Sequence, residues 1–285
     1  MNDLTFIVQG PVDIKDLNRN GAIQSIKKYF PYSKIIISTW GESKRIFIHS
    51  ENITVVTNVD PGPGSARGDK WAVNFTRQGI STLGGLLYCD TKYACKIRSD
   101  CYFESDCLAT VFVDFLKSKK RFLFTDKSFR FPYYNYAIDW FQIGLAKDLI
   151  NVWEEALKID QKLDYFKNFD YHFYDKRVNF YARYHSEQLI YIALHPEKKI
   201  VERNFHPNVF DYLKYRINFG KEYYTIGKIN IGLMCSKHSN KVNDYRLHFR
   251  WFDFFSFVFP VLDLIIGAIS WFHYMYKVRL RKKTL

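Results

Sequence analysis

The sequence predicts an α/β fold in which helices flank a mixed, mostly parallel sheet. Two observations support this prediction: apolar segments of strand length alternate with amphipathic segments, and several of them end at Gly, Pro or Asp. The segment at 34–40 is almost wholly apolar, as expected when helices cover both faces of a parallel sheet. The chain has 285 residues and is 47% hydrophobic, so it can bury the core that such a fold requires.

The N-terminal half supplies these elements in the order of a doubly wound domain. The first strand breaks at Gly10 and Pro11, which form a strong turn signal. The first helix should stop before Pro31, because the residue that precedes a proline disfavours the helical conformation. The predicted elements are strand 6–12, helix 22–30, strand 34–40, strand 53–57, helix 71–87 and strand 93–97.

Polar residues stand at the carboxyl ends of four of these strands, namely Gln9, Thr39, Asp60 and Asp100. Ligands of open α/β sheets bind in the crevice outside the carboxyl ends of the strands. The sequence therefore predicts a nucleotide site at this edge. Its base and ribose should be lined by Gln9, Gly10, Thr39 and Asp60.

The strand that runs into Asp100 carries two cations, Lys96 and Arg98, at alternating positions. A Mg²⁺ or Mn²⁺ ion that bridges a diphosphate needs one or two carboxylates, because phosphate and water supply most of its other ligands. We therefore predict that Asp100 binds Mg²⁺ or Mn²⁺, and that Lys96, Arg98 and Arg77 lie near the diphosphate. The alternative is that Asp100 ends the strand and caps the next segment.

Eight short blocks occur in order between residues 5 and 190: VQGP (8–11), IKKYFP (26–31), IISTW (36–40), DPG (60–62), RQ (77–78), KIRSD (96–100), DWFQIG (139–144) and EQ (187–188). Together they resemble the WavE family of lipopolysaccharide-synthesis proteins, a family of GT-A glycosyltransferase type. The resemblance implies a GT-A-like fold and sugar transfer to a surface glycan. GT-A enzymes place their metal on an Asp-x-Asp motif. Here Arg98 stands at the first Asp position, so only half of that motif is present.

The residues after the nucleotide half are expected to bind the acceptor. Asp139 adjoins Trp140 and Phe141, a composition typical of a sugar subsite, in which aromatic faces pack on the ring and a carboxylate binds hydroxyl groups. The alternative is that both aromatic residues belong to the core and that Asp139 caps a turn. The predicted elements of this part are a strand at 121–124, a helix at 148–157 and a long loop or lid at 158–183.

A further helix is predicted at 186–194, with Glu187 in its first turn. A negative charge there complements the helix dipole, so helix capping is one role for Glu187. The other role is catalytic, because an inverting transferase needs a carboxylate base to take the proton of the acceptor hydroxyl. Asp139 and Glu187 are both candidates for this base, and the sequence leaves the choice open.

Residues 251–276 form a dense aromatic and aliphatic run, which five Lys and Arg residues follow. The run is long enough to span a bilayer, but Pro260 and Asp263 interrupt it. A single span with a cytoplasmic basic tail would also place the catalytic half outside the cell. We therefore expect residues 251–285 to attach peripherally or monotopically to the cytoplasmic face of the bacterial inner membrane, with the cations on anionic headgroups. The alternative is a buried C-terminal helix.

Charge and cysteine usage narrow the possible partners. The net charge of +13 suits anionic membranes and polyanionic substrates, and also nucleic acid. The sequence has no zinc-finger, Walker or RNA-binding signature, so we expect no nucleic-acid partner. The cysteine spacing fits neither a zinc ribbon nor a redox pair, and no signal peptide is recognised before the first strand. Both observations favour a reducing, cytoplasmic location.

The predicted reaction is sugar transfer from a nucleotide-diphosphate sugar to a lipid-linked cell-surface polysaccharide, either lipopolysaccharide or capsule. Two alternatives stay open: a sugar-phosphate transferase that uses the same pocket, and a non-catalytic membrane-bound scaffold of the assembly machinery. The expected organisation is a GT-A-like catalytic domain at 1–200, with a nucleotide half at 1–105 and an acceptor half at 106–200, then an extension at 201–250 that packs on the core, and the membrane-associating segment at 251–285.

Overall fold

The computed structural model describes residues 3–12, 20–41, 47–50, 52–62, 75–126, 137, 139–165, 186–195, 222–227 and 231–235. Within these residues the chain forms ten strands and five helices. The strands are β1 (Leu4–Gln9), β2 (Lys34–Gly41), β3 (Phe47–Ser50), β4 (Ile53–Val59), β5 (Tyr93–Arg98), β6 (Cys101–Phe103), β7 (Phe122–Asp126), β8 (Phe141–Leu145), β9 (Tyr224–Gly227) and β10 (Leu233–Cys235). The helices are α1 (Gly21–Tyr29), α2 (Phe75–Leu86), α3 (Cys107–Ser118), α4 (Ala146–Tyr165) and α5 (Ser186–Leu194).

Eight of the strands form one sheet in the order β3-β4-β2-β1-β5-β8-β7-β9. The neighbours β4, β2, β1 and β5 are parallel, as are β7 and β9. Strand β3 is antiparallel to β4, and β8 is antiparallel to both of its neighbours. The predicted class, an α/β fold with a mixed and mostly parallel sheet flanked by helices, is confirmed.

The elements predicted for the N-terminal half are present, with small shifts in their bounds. Strand β1 ends at Gln9 rather than at residue 12, because Gly10 adopts a φ of 125° and ends the extended conformation. Helix α1 begins after Asn20, whose side chain accepts hydrogen bonds from the N–H groups of Ala22 and Ile23 in the first turn. The helix predicted at 71–87 is described from Phe75, and residues 71–74 lie outside the described residues.

The prediction of a loop from residue 158 onward is wrong in its first part. Helix α4 continues to Tyr165, because its buried stripe of Val152, Ala156 and Ile159 extends past residue 158. Residues 166–183 lie outside the described residues. Helix α3 and strand β8 are absent from the sequence-based prediction. Strand β8 lies between β5 and β7, so residues of the predicted acceptor half build the same sheet as the nucleotide half.

Apolar side chains cover both faces of the sheet. On one face α2, α4 and α5 pack against the sheet, and the rings of Phe75 and Trp153 stack with their centroids 5.7 Å apart. On the other face α1 and α3 pack on β1 and β5, where Phe6 stacks on Phe30 at 5.1 Å. Helix α2 approaches the sheet very closely, because Gly85 has no side chain to hold it away. This approach fixes the height of α2 above the carboxyl ends of the strands.

Two strands from the predicted 201–250 extension join the rest of the chain. Strand β9 extends the large sheet beside β7, and β10 pairs antiparallel with β6. Residues 251–285 lie outside the described residues. Among the residues that the structure describes, no helix is long and apolar enough to cross a bilayer.

Candidate functional site

The carboxyl ends of β1, β2 and β5 adjoin at one edge of the sheet. Gln9, the last residue of β1, is paired in register with Ser38 of β2 and with Arg98 of β5. The β1 and β5 ends are further joined by Ser99, whose N–H donates to the carbonyl of Gln9 at 2.8 Å. At Gly10 an added Cβ would lie 2.7 Å from the hydroxyl of Ser99. The two chain segments therefore approach as closely as a glycine allows.

Gln9 itself is a buried polar residue with an unusual feature. Its side chain is 6% exposed, and its Oε1 has no hydrogen-bond partner among the residues that the structure describes. Leaving a buried acceptor unpaired costs about 1–3 kcal/mol. A group that needs a hydrogen-bond donor therefore lies at the edge where ligands of this fold class bind.

Arg98 and Asp100 form a two-point ion pair next to Gln9. The Nε of Arg98 donates to Oδ1 of Asp100 at 2.9 Å, and Nη2 donates to Oδ2 at 2.6 Å. Burial alone would lower the pKa of Arg98, but the hydrogen bonds and the charge of Asp100 outweigh it and raise that pKa above its ordinary value. Arg98 therefore stays cationic at every physiological pH. Its side chain is 33% exposed, so a ligand can reach it.

A second two-point pair joins the end of β4 to α2. Arg77 donates from Nε and Nη2 to the two carboxylate oxygens of Asp60, at 2.6 and 2.5 Å. The N–H of Gly62 also donates to Asp60 at 3.0 Å. The pKa of Asp60 is lowered, mainly by the hydrogen bond from Arg77. Three strand spacings separate β4 from β5, so these two strands lie roughly 14 Å apart across the sheet.

Lys96 lies beneath this edge rather than on it. Its side chain is fully buried, its ammonium group donates to the backbone carbonyl of Asp139, and the nitrogen lies 5.3 Å from the ring centre of Trp153. The amide of Gln78 donates to the same carbonyl at 3.1 Å. Burial lowers the pKa of Lys96 to about 8, against the opposing effect of the Asp139 charge. Lys96, which the sequence places at the diphosphate, thus holds the Asp139 segment and has no exposed surface.

Asp139 lies close enough to Lys96 and Arg98 for the three residues to form one charged cluster. Its side chain is 7% exposed, and its charge acts on both Lys96 and Arg98. The N–H of Arg98 donates to the carbonyl of Trp140 at 3.2 Å, which ties the Asp139 segment to β5. Phe141 is fully buried and Trp140 packs partly against the same core. Phe141 is thus a core residue, whereas Trp140 is only partly buried.

The other two predicted site residues, Thr39 and Glu187, lie on β2 and α5. Thr39 is buried and its hydroxyl accepts a hydrogen bond from the N–H of Val12 at 3.1 Å, so it shapes the loop after β1. Glu187 lies in the first turn of α5, and its side chain is outside the described residues. Gln78 and Ser99 also hold the site together; both lie in blocks of the family resemblance, RQ (77–78) and KIRSD (96–100), although neither was predicted as a site residue. Asn20, by contrast, has the position of an N-cap, and its amide donates to the carbonyl of Ser99 at 3.3 Å.

The described residues around Asp100 do not fit a divalent cation. Both carboxylate oxygens of Asp100 accept hydrogen bonds from Arg98, whereas Mg²⁺ and Mn²⁺ need free carboxylate oxygens. In the part of the chain that the structure describes, no group of three or more His, Cys, Asp or Glu side chains could hold a metal ion. Asp100 as a metal ligand therefore stays a prediction of the sequence.

The fold and the site together define an α/β protein whose charged residues gather at the carboxyl edge of its sheet. A sequence model described as WavE lipopolysaccharide synthesis matches residues 4–259, and the chain belongs to this family. Among solved structures 211 chains match. One is a crystal structure of an active-site mutant of LgtC, which is 11% identical over 67% of this chain and 69% of that chain, with a TM-score of 0.41. The comparison with curated proteins gave no match.

Proposed function

We propose that this protein is a glycosyltransferase that moves a sugar from a nucleotide-diphosphate sugar to a lipid-linked cell-surface polysaccharide, lipopolysaccharide or capsule. The observation that carries the proposal is the cluster of Arg98, Asp100 and Asp139 at the carboxyl edge of the sheet, in a member of a lipopolysaccharide-synthesis family. That edge is where proteins of this class bind nucleotides, and the cluster combines a cation for phosphate with a carboxylate for a hydroxyl.

The reaction would use these groups as follows. The oxygen of an acceptor hydroxyl attacks the anomeric carbon of the donor sugar and forms the new glycosidic bond. The bond between that carbon and the diphosphate oxygen breaks, and the nucleoside diphosphate leaves with the electron pair. Arg98 would stabilise the negative charge that develops on the leaving group. If the configuration is inverted, a carboxylate takes the hydroxyl proton, and Asp139 and Glu187 are the candidates.

The neighbouring residues would orient the donor. Gln9 and Gly10 would contact the nucleotide at the ends of β1 and β5, and the pair of Asp60 and Arg77 would border the far side of the site. Lys96 would act indirectly, through the segment that carries Asp139. A Mg²⁺ or Mn²⁺ ion, if bound with the donor, would supply further positive charge at the diphosphate.

The proposed function is tested by a thermal-shift screen of nucleotide sugars, with and without Mn²⁺. A ligand that binds only the folded state raises the melting temperature by an amount that depends on its concentration relative to Kd. Lys34→Gln is a matched control, because Lys34 forms an exposed ion pair with Asp90 at the opposite edge of the sheet. We expect the wild type and this variant to respond equally to the same nucleotide sugar.

Product analysis then separates the alternatives. Release of a nucleoside diphosphate supports the glycosyltransferase, and release of a nucleoside monophosphate supports the sugar-phosphate transferase instead. A non-catalytic scaffold binds no nucleotide sugar in the screen. Absence of any shift across the full panel would therefore contradict enzyme function altogether.

A further inference from the structure

We propose that Arg98 takes the place of a divalent cation at the donor diphosphate, and that Asp100 is the positioning residue that holds its guanidinium. This inference rests on the proposed function, because it requires a diphosphate leaving group. It reassigns Asp100 from metal ligand to partner of Arg98. It also predicts that the diphosphate binds in the presence of a chelator.

Both carboxylate oxygens of Asp100 are engaged by Arg98. Each oxygen accepts one charge-assisted hydrogen bond from Arg98, at 2.9 and 2.6 Å, and the carboxylate is only 16% exposed. A metal ion could bind this carboxylate only after the guanidinium had moved away. The cation that accompanies Asp100 is therefore supplied by the chain itself, from Arg98 at the end of β5, two residues before Asp100.

Arg98 is held in place by its neighbours and is also accessible to a ligand. Its backbone N–H donates to the carbonyl of Trp140, and its register partner on β1 is Gln9, so β5 is held on both sides at this point. A guanidinium carries five N–H donors, and the pair with Asp100 uses two of them. A third of the side chain is exposed. The planar fork can therefore donate to phosphate oxygens while Asp100 keeps its orientation.

Gln9 lies beside Arg98 in register on the neighbouring strand. Its Oε1 is buried and has no hydrogen-bond partner within the described part of the chain. An unpaired acceptor next to a permanent cation suits a ligand that carries both an anionic group and a hydrogen-bond donor. A nucleoside diphosphate has both, in its phosphates and in its hydroxyl groups.

The test measures binding of uridine diphosphate and guanosine diphosphate by calorimetry, once in EDTA and once in Mn²⁺. We expect the wild type to bind at least one of them in EDTA. Arg98→Ala should weaken that binding roughly tenfold to hundredfold, the usual effect of losing hydrogen bonds to a charged group. Arg98→Lys should recover only part of the loss, because an ammonium group cannot donate in two parallel directions. Lys34→Gln should bind as the wild type does.

Two further variants separate positioning from metal binding. Asp100→Asn should weaken diphosphate binding equally in EDTA and in Mn²⁺, because it loosens the guanidinium and removes no metal ligand. Arg98→Asp places carboxylates two residues apart, so we expect it to bind the diphosphate only when Mn²⁺ is present. For Arg98→Ala, added ethylguanidinium should restore part of the binding. A purely structural role of Arg98 would not give this rescue. Circular dichroism melting of each variant confirms that it is folded.

Several results would overturn the proposal. One is a wild type that binds the diphosphates in Mn²⁺ and not in EDTA, and another is loss of Mn²⁺ binding in Asp100→Asn. Either result leaves the glycosyltransferase function standing, with Asp100 as a metal ligand. A wild type that binds no nucleoside diphosphate or nucleotide sugar in either condition contradicts the proposed function itself.

Discussion

Lys96 shows how a single buried residue links the site to stability. A lysine whose pKa falls from 10.5 to about 8 on folding binds fewer protons in the folded state than in the unfolded state between those two pH values. Stability therefore increases as the pH rises from about 8 to about 10.5, and the penalty of burying the charge is fully present below pH 8. The full contribution is about 3 kcal/mol.

The corresponding prediction compares the wild type with Lys96→Met by urea denaturation at several pH values. The free energy of unfolding of the wild type should increase relative to that of the variant as the pH rises from 8 to 10. Burial raises the pKa of the Cys95 thiol well above its ordinary value, which destabilises both proteins at high pH. The charge of Lys96 opposes this rise, so its removal in the variant changes the difference in the same direction. If the free energies of unfolding of the two proteins change in parallel with pH, folding does not lower the pKa of Lys96.

Asp139 is one of the two candidates for the catalytic base. If Asp139 is the catalytic base, Asp139→Asn should lower kcat by about 10²–10⁴-fold and leave donor binding unchanged. Glu187→Gln is the matched variant, because it also replaces a carboxylate by an amide of nearly the same shape. Steady-state kinetics on both variants assigns the base. A large fall in kcat for Glu187→Gln alone would move the role to α5.

At the scale of elements, α2 determines how the two sides of the site are spaced. Its Arg77 binds Asp60 at the end of β4, and its Gln78 binds the carbonyl of Asp139 beside β8. The same helix packs directly on the sheet through Gly85. A Cβ there would lie 2.6 Å from Cγ2 of Ile7 and 3.0 Å from the Cβ of Ser38. The distance between α2 and the sheet is therefore set by Gly85, which has no side chain and takes no direct part in the site.

We accordingly predict that Gly85→Ala destabilises the protein by about 1–3 kcal/mol, because the helix must move outward to make room. The displacement should also weaken donor binding through Arg77 and Gln78. Gly21→Ala is the control, since a Cβ there would lie 3.7 Å from its nearest neighbour, at the start of α1. Urea denaturation and the thermal-shift assay measure both effects. Equal stability of the two variants would contradict the close-approach argument.

Some strands and helices are easier to predict from the sequence than others. Because both of their faces are covered, strands β1, β2, β4 and β5 are largely apolar, and such segments are visible in the sequence. Lys96 and Arg98 interrupt the apolar pattern of β5. Helix α3 also has a readable stripe, with Leu108, Phe112 and Phe115 on one face.

Strand β8 is harder to recognise, because it has only five residues and one of them, Gln142, is polar. Gln142 can be buried because it accepts a hydrogen bond from the indole of Trp153 at 2.9 Å, a partner 11 residues away.

The contacts within the charged cluster also differ in how far they can be predicted from the sequence. The pairing of Asp100 with Arg98 can be inferred from their separation of two residues, because Asp100 lies just beyond the end of β5. The contact of Lys96 with Asp139 spans 43 residues and follows only from the pairing of β5 with β8.

At the scale of the whole molecule, we propose that residues 251–285 attach the enzyme to the cytoplasmic face of the inner membrane, where lipid-linked acceptors are found. The motivation is the apolar and aromatic run, its internal Asp263 and the five cations that follow it. Confinement to the surface that holds the acceptor raises its effective concentration. It also keeps the catalytic residues on the side of the membrane that contains nucleotide sugars.

Deletion of residues 251–285 should move the protein from the membrane fraction to the soluble fraction and leave nucleotide-sugar binding unchanged. Replacing only the five cations by Gln should weaken sedimentation with anionic vesicles in a salt-dependent manner, since headgroup attraction is screened over about 8 Å at physiological ionic strength. The matched measurement uses neutral vesicles, on which the replacement should have little effect, because apolar burial remains. If the truncated protein unfolds, the segment belongs to the core. The apolar run would then be explained by packing, and the attachment proposal would be wrong.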